Sequence, residues 1–378
     1  MDTVSVLAVG PVPPPFHGVA TYLRDLLDSH TLDAEGIALS HLDTSDRRDA
    51  SNLGRWDAEN LGLGFANLAE LAGRCRRTDA DIVYLPLSQN VPAFLRDALF
   101  IVQSRLQGKR VVVHLHGGYF RTLYQQQASA FQALMRATLR CCAAVIVLGE
   151  DFRSIFAGLV PDERIFVVEN GVPDAFGHAA AATRSGETLL YMSTLTRSKG
   201  ILALIEAVAM LRELRPGAEV RLRVAGAWQE PELRAEALAL IERLGVPAHV
   251  EFVGNVTGAA KSEFLRSGDI FCLPTHYPYE GQPLVLLEAM SAGLPVLTTD
   301  RGVIAATVLD GITGTVVKQD ALPRQIAESL HAMLSDRERL ADYSRAARAR
   351  YESKYTLHMC HAKLAHVFHC VCERRPVL

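Results

Sequence analysis

The sequence predicts an α/β protein: two doubly wound parallel sheets, one after the other, with helices closing the chain. Three observations carry this. Short apolar runs alternate with longer amphipathic stretches, as strands and crossover helices do. The short runs are apolar throughout, which marks strands covered on both faces. And the alternation breaks near Asn170, then restarts.

In the first half "VSVLAV", "DIVYLPL", "RVVVHL" and "AAVIVL" read as buried strands. "VATYLRDLLDS", "PAFLRDALFIVQSRLQG" and "FQALMRATLRCC" read as the helices between them. "ENGVPDAFGHAAAATRSGE" is rich in glycine, proline and small residues without a period, so it reads as a linker. The second half supplies "TLLYMS", "EVRLRVAG", "HVEFVG", "DIFCLP", "LPVLTT" and "GTVV" as strands. Its helices include Leu202–Leu214, Pro231–Leu244 and Gln282–Ala292, and from about Leu322 the chain reads as helical to its end. The expected division is residues 1–172, residues 173–355, and a final helix over 356–378 packing back on the first domain. Two Rossmann-like domains facing across a cleft are expected, with ligands beyond the carboxyl ends of the strands.

Composition narrows the function. At 378 residues the chain exceeds one ordinary core and suits two. Apolar residues make up 49% and charged residues 21%, a globular balance. A net charge of −3 gives no case for nucleic acid as a partner. The seven cysteines form no CxxC set, and several lie in apolar runs. With no signal peptide in view, a reduced cytoplasmic setting is expected. No run reaches the roughly 18 apolar residues of a spanning helix. "DAD" at Asp79–Asp81 reads as a polar strand entry and "CVC" at Cys370–Cys372 as two helix thiols, so no metal site is expected. The first loop, "GPVPPPFHG", is not GxGxxG, which disfavours a nicotinamide enzyme.

The chemistry concentrates in "PYEGQPLVLLEAMSAGLPVL", from Pro278 to Leu297. Pro283 fits the first position of a helix, where its missing N–H costs nothing. Such a helix start is positive and offers free amides to a phosphate. Glu280 lies just before it. Glu288 lies more than a turn inside, where a buried carboxylate needs donors; adjacent ribose hydroxyls would supply two, and a plain salt bridge is the bland alternative. His114 and His116 share one side of a strand. His114 lies deeper and reads as a core residue, while His116, beside Gly117 and Gly118, is the better site candidate.

The spacing Glu280-x7-Glu288, running into "EAMSAGLPV", resembles the signature of retaining glycosyltransferases of family 4, which have the GT-B fold. The likeness extends over most of the chain through "GPVPPPFHGVATYLRDLL", "HLHG", "ENGVPDAF", "STLTRSKG" and "DGITGTVV". It implies an acceptor-binding first domain and a second that holds a nucleotide diphosphate sugar as donor substrate, with no cofactor. Glu288 would hold the ribose and Glu280 the donor sugar. Backbone amides of Gly281, Gln282, Pro283 and Leu284 would surround the distal phosphate and sugar (proline lending only its carbonyl and ring), and Lys199 would neutralise the diphosphate. Gly18 would let backbone approach the phosphates, His116 would reach the sugar, and the base would lie near Gly226, Asn255 and Val256. Members often carry Gly-Arg-Leu where this chain has Ser193-Thr194-Leu195, so Arg197 would have to stand in for the arginine replaced by Thr194.

The implied reaction is metal-independent transfer with retention, by a front-side path in which the leaving phosphate oxygen takes the acceptor proton. The implied setting is bacterial polysaccharide or glycolipid assembly at the inner face of the membrane. The acceptor would be a saccharide or lipid-linked group bound by loops such as Leu42–Leu61 and Phe120–Gln127. The basic residues Arg74, Arg76, Arg77, Lys109 and Arg110 read first as a solvated face, with a patch touching anionic lipid as the alternative. A nucleotide-sugar 2-epimerase and a non-catalytic nucleotide-sugar-binding protein are the alternatives.

Overall fold

The computed structural model describes residues 3–14, 17–45, 58–177 and 187–373. The chain forms two compact units: Met1–Gly171 together with Leu357–Leu378, and Val172–Thr356.

The first unit is built on strands β1 (Val4–Gly10), β2 (Ile37–Asp43), β3 (Ile82–Pro86), β4 (Arg110–His114), β5 (Ala144–Val147) and β6 (Ile165–Val167). They lie in the order β2-β1-β3-β4-β5-β6, and every pairing is parallel. Ile82–Leu85, Val111–His114 and Ala144–Val147 are all buried, which is why these runs show no polar alternation. Asp81 accepts a hydrogen bond from the Ser5 amide (2.9 Å), so "DAD" is the polar strand entry expected of it. The helix Leu357–Glu373 belongs to this unit. Its Cys360, Leu364, Ala365, Val367, Phe368 and Val371 share one core with β1, β3 and the helix Gly18–Leu27. Each such buried aliphatic or aromatic side chain stabilises by roughly 1.5–3 kcal/mol.

Several parts of this unit depart from the sequence reading, the three-residue edge strand β6 among them. β2 has a mixed burial pattern, as befits an edge strand, and lacks the apolar signature of the central four. Leu42 and Asp43 of the expected loop Leu42–Leu61 close that strand, and Ala58–Leu61 open a 20-residue helix, Ala58–Arg77; residues 46–57 lie outside the described residues. Phe120–Gln127 is also no open loop. Phe120–Gln125 is a helix, because Phe120, Leu123 and Tyr124 fall at i, i+3 and i+4 and bury one face.

The second unit holds β7 (Thr188–Met192), β8 (Arg221–Ala225), β9 (Val250–Gly254), β10 (Ile270–Leu273), β11 (Val296–Thr299) and β12 (Gly314–Val317). Their order is β12-β11-β10-β7-β8-β9, again all parallel. The chain runs outward from β7 to β9, then returns to build the other half from β10. Strand order therefore reverses between β7 and β10, and at such a switch point the two following loops diverge and leave room for a ligand. In the first sheet the reversal lies between β1 and β3.

The helix Leu284–Ser291 follows β10. Pro283 is its N-cap, with φ −63° and ψ 122°, and not its first helical residue as expected. At the other end the Leu294 amide reaches the Ala289 carbonyl and the Gly293 amide that of Met290. With Gly293 at φ +67°, this is a glycine-terminated Schellman stop.

Candidate functional site

The loops after β7 and β10 meet at the switch point of the second sheet. Lys199 and Glu280, 81 residues apart, form an ion pair there at 2.6 Å. Glu280 Oε2 also accepts a hydrogen bond from Thr275 Oγ1 at 2.9 Å. Only 7% of the Glu280 side chain is exposed and 16% of Lys199. The ammonium also lies 4.5 Å from the centre of the Tyr277 ring, a cation–π distance. Charges this far out of water need such partners, and removing one member strands the other.

Backbone contacts fix the pair. Tyr191 Oη donates to the Lys199 carbonyl (3.1 Å), and the His276 amide donates to that of Ser198 (2.8 Å). Gly200 has φ +80°, and a Cβ there would fall 2.1 Å from the Pro274 carbonyl oxygen. Gly302, at φ +60°, supports the far side of the same loop: a Cβ would lie 2.6 Å from the Glu280 carbonyl oxygen. Both positions therefore require glycine on conformational and steric grounds. Arg301 Nε completes the support with a 3.1 Å hydrogen bond to the Tyr277 carbonyl.

Gly281, Gln282 and Pro283 lead from Glu280 into the helix. The Gln282 side chain is buried and donates to Thr307 Oγ1 at 3.0 Å, so its amide group holds the loop down. The Leu286 amide turns back to the Pro283 carbonyl (3.1 Å). Leu284 and Val285, as the first helical residues, have no intrahelical acceptor for their amides. That end of the helix is therefore a positive, donor-rich surface beside Glu280. Glu288, the fifth helical residue, is 15% exposed and pairs with Lys261 at 2.5 Å.

Gly226 and Asn255–Val256 follow β8 and β9, the two strands that lie in that order beyond β7. The Gly226 amide donates to the Gly254 carbonyl (2.8 Å), and a Cβ on Gly226 would collide with the Ser193 carbonyl oxygen at 1.8 Å. Asn255 is exposed and Val256 half-buried. The structure does not bring Arg197 to the Lys199–Glu280 pair. Its guanidinium is exposed and held by both carboxylate oxygens of Glu236, on the helix Pro231–Arg243.

The first unit presents a different cluster. His116, just beyond β4, packs against His114 with ring centroids 4.0 Å apart and against Tyr22 at 4.5 Å, both rings tilted relative to it. His114 is fully buried with its Nδ1 2.8 Å from Tyr84 Oη, the core role expected of it. Burial pushes the His116 imidazolium pKa down to about 3, against a hydrogen bond with Asn170 that favours the charged form. Burial, helped by His116, also drives that of His114 well below its ordinary value. Both rings are neutral at pH 7, and Nε2 of each is buried without a hydrogen-bond partner among the described residues. Gly18 opens the helix Gly18–Leu27, capped by His17 Nδ1 on the Ala20 amide. A Cβ on Gly18 would meet nothing within 4 Å among the described residues, so none of these demands glycine there.

Thr275, Tyr277, Gly302 and Lys261 join the site without having been singled out in the sequence. "THYPYEG", between an apolar strand and the helix, carried a signal for the first two. Lys261 and Gly302 carried none, because only the strand order brings them in. Among the described residues no group of three or more His, Cys, Asp or Glu side chains is placed to hold a metal ion. Among the same residues no helix is long and apolar enough to cross a membrane.

Comparison with known proteins assigns the chain. Residues 4–171 match the family described as Glycosyl transferase 4-like domain, and residues 179–350 that described as Glycosyl transferases group 1. The chain is 30% identical over 282 residues to the GDP-mannose:cellobiosyl-diphosphopolyprenol alpha-mannosyltransferase of Xanthomonas oryzae pv. oryzae (strain PXO99A), covering 73% of this chain and 70% of that protein. It is 32% identical over 196 residues to the phosphatidyl-myo-inositol mannosyltransferase of Mycobacterium tuberculosis (strain ATCC 25618 / H37Rv), covering 49% of this chain and 50% of that one. The crystal structure of Anabaena Alr3699/HepE in complex with UDP superposes with a TM-score of 0.74 at 18% identity, covering 97% of this chain and 100% of that one. Two parallel six-stranded sheets, both family matches and these relatives together place the chain among the group 1, family 4 glycosyltransferases of GT-B fold.

Proposed function

We propose that the protein transfers a sugar from a nucleotide diphosphate sugar to an acceptor hydroxyl with retention, and that the donor lies along the switch point of the second sheet. The observation that carries this is the Lys199–Glu280 pair beside the start of the helix Leu284–Ser291. The diphosphate would lie between the Lys199 ammonium and the first-turn amides, where charge developing on the leaving group is stabilised. Glu280, held by Thr275, would accept from donor-sugar hydroxyls. Glu288 would take the ribose, and Gly226 with Asn255–Val256 the base. In the first unit neutral His116 carries an Nε2 suited to hydrogen-bond a hydroxyl group. Cationic groups of the chain would do the charge stabilisation, so turnover is expected to survive EDTA; complete loss restored by Mg²⁺ would replace this scheme with a metal-dependent one.

The acceptor is proposed to be a lipid-linked or saccharide hydroxyl, as the names of the Xanthomonas and Mycobacterium relatives suggest. Contact with a cytoplasmic membrane face is supported by exposed Phe65, Leu99, Val102 and Leu106 on two helices joined by a 2.8 Å hydrogen bond from Gln103 Nε2 to the Leu68 carbonyl. Exposed Arg76 and Arg77 end the first of these helices. Lys199→Ala and Glu288→Ala are each expected to lower transfer at least about tenfold, roughly 1.4 kcal/mol of transition-state stabilisation. Full activity in both, with normal folding, defeats the assignment.

A further inference from the structure

We infer that Lys261 is a positioning and specificity residue for the nucleotide, making the Glu288 carboxylate selective for a hydroxyl-bearing pentose. The inference rests on the proposed placing of the ribose at Glu288. Glu288 carries its carboxylate mostly out of water, and Lys261 Nζ meets Oε1 at 2.5 Å. Among the described residues that carboxylate has no other polar partner. A carboxylate offers about four lone-pair positions and an ammonium three N–H donors. The contact between them uses one of each. Acceptor capacity remains on Glu288 and donor capacity on Lys261, whose side chain is 34% exposed.

That combination fits a vicinal diol. Each hydroxyl both donates and accepts, and a carboxylate alone satisfies only the donor half. With the ammonium beside it, one hydroxyl can donate to the carboxylate while its oxygen, or its neighbour's, accepts from Nζ. The position of Lys261 in the chain supports the same assignment. It is the fourth residue of the helix Gly258–Arg266, which three residues separate from the end of β9 at Gly254. The segment proposed to hold the base and the residue proposed to hold the ribose are thus joined by one ion pair. Loss of a purely structural pair between two helices would weaken binding of every nucleotide alike. Loss of a recognition pair weakens the binding of the hydroxylated form selectively.

The experiment measures calorimetric affinities of UDP, GDP and their 2′-deoxy and 3′-deoxy counterparts for the full chain. Wild type, Lys261→Met, Lys261→Arg and Glu288→Gln are compared, each with a melting temperature. The wild type is expected to prefer the ribonucleotide over at least one deoxy form by about tenfold or more, since a deoxy ligand leaves buried polar groups unpaired. Lys261→Met is expected to reduce that ratio to near one, and Lys261→Arg to restore part of it. An unchanged ratio in Lys261→Met overturns the inference, whether or not overall affinity or stability falls. So does tighter ribonucleotide binding by that variant. If Glu288→Gln collapses the ratio and Lys261→Met does not, the ribose site stands and the role of Lys261 fails. If Glu288→Gln leaves the ratio intact, or no nucleotide binds the wild type, the ribose placement itself fails and this inference with it.

Discussion

The two units bury polar groups in opposite ways. The second lines its switch point with opposite charges in contact, Lys199 with Glu280 and Lys261 with Glu288. The first surrounds its cluster with neutral rings: His114, His116, Tyr22 and Tyr84. The difference follows from what each can hold. Paired charges can exchange a partner for a charged ligand at little desolvation cost, because they are already partly out of water. Neutral imidazoles with unused Nε2 atoms offer hydrogen bonds and no charge, which suits sugar hydroxyls.

The largest expected effect tests whether the charges are there for stability or for a ligand. Glu280→Leu alone leaves the Lys199 ammonium nearly buried without its carboxylate, a situation that costs about 3–5 kcal/mol in comparable pairs. Adding Lys199→Met removes the stranded charge. The double variant should therefore regain much of the stability lost, as measured by urea unfolding, while transfer stays at least about tenfold down. A double variant as unstable as Glu280→Leu would mean that the loops fail for another reason, such as the lost Thr275 contact.

Acid should separate the units next. A histidine whose folded pKa lies below its unfolded value of about 6.5 is neutral in both states at higher pH and adds nothing there. Below that value the unfolded chain takes up the proton first, so stability falls by about 1.4 kcal/mol per pH unit per histidine until the folded pKa is reached. For His116 the window runs from about 6.5 down to about 3; His361, lowered by burial to about 4, acts in the same sense within the same unit. In the second unit the Arg348 guanidinium holds the Asp174 carboxyl well below its ordinary range. That contribution is present above the unfolded carboxylate pKa and persists until the pH falls through the lower folded value. Hydrogen exchange between pH 6.5 and 4 should lose protection first in β3 and β4 and later in β7 and β10. His116→Gln should narrow that gap; loss in the opposite order would break the comparison.

How much of this was legible in the sequence depends on how local each signal is. The central strands declared themselves because both faces are buried. β2, an edge strand with polar residues, did not. Ala58–Arg77 was missed because Gly62, Gly64 and Gly73 interrupt its period, each weakening a helical reading. Glu280, Glu288 and Lys199 stood out through short motifs, whereas the contact between Lys199 and Glu280 exists only because β7 and β10 are neighbours. Gly302 is required by a carbonyl 22 positions earlier, and Lys261 by a carboxylate 27 positions later. No local pattern encodes such needs.

The smallest expected effect concerns Arg197, and it sharpens the contrast between paired charges inside the site and paired charges outside it. Its motif neighbour Lys199 points to Glu280, but its own guanidinium lies in solvent against Glu236. Exposed pairs of this kind are screened and hold long side chains in place for little return. Arg197→Ala should therefore leave melting temperature and transfer nearly unchanged, within about twofold, a limit set by how little exposed pairs contribute. The alternative is equally concrete. If donor binding draws the guanidinium away from Glu236 onto a phosphate, in place of the arginine that Thr194 replaces, the loss would match that of Lys199→Ala and appear in the donor KM. Glu236→Ala separates the two cases. It frees Arg197 without removing it, so it should raise donor affinity if the arginine is a phosphate ligand held in reserve, and change nothing if the pair is only a surface contact.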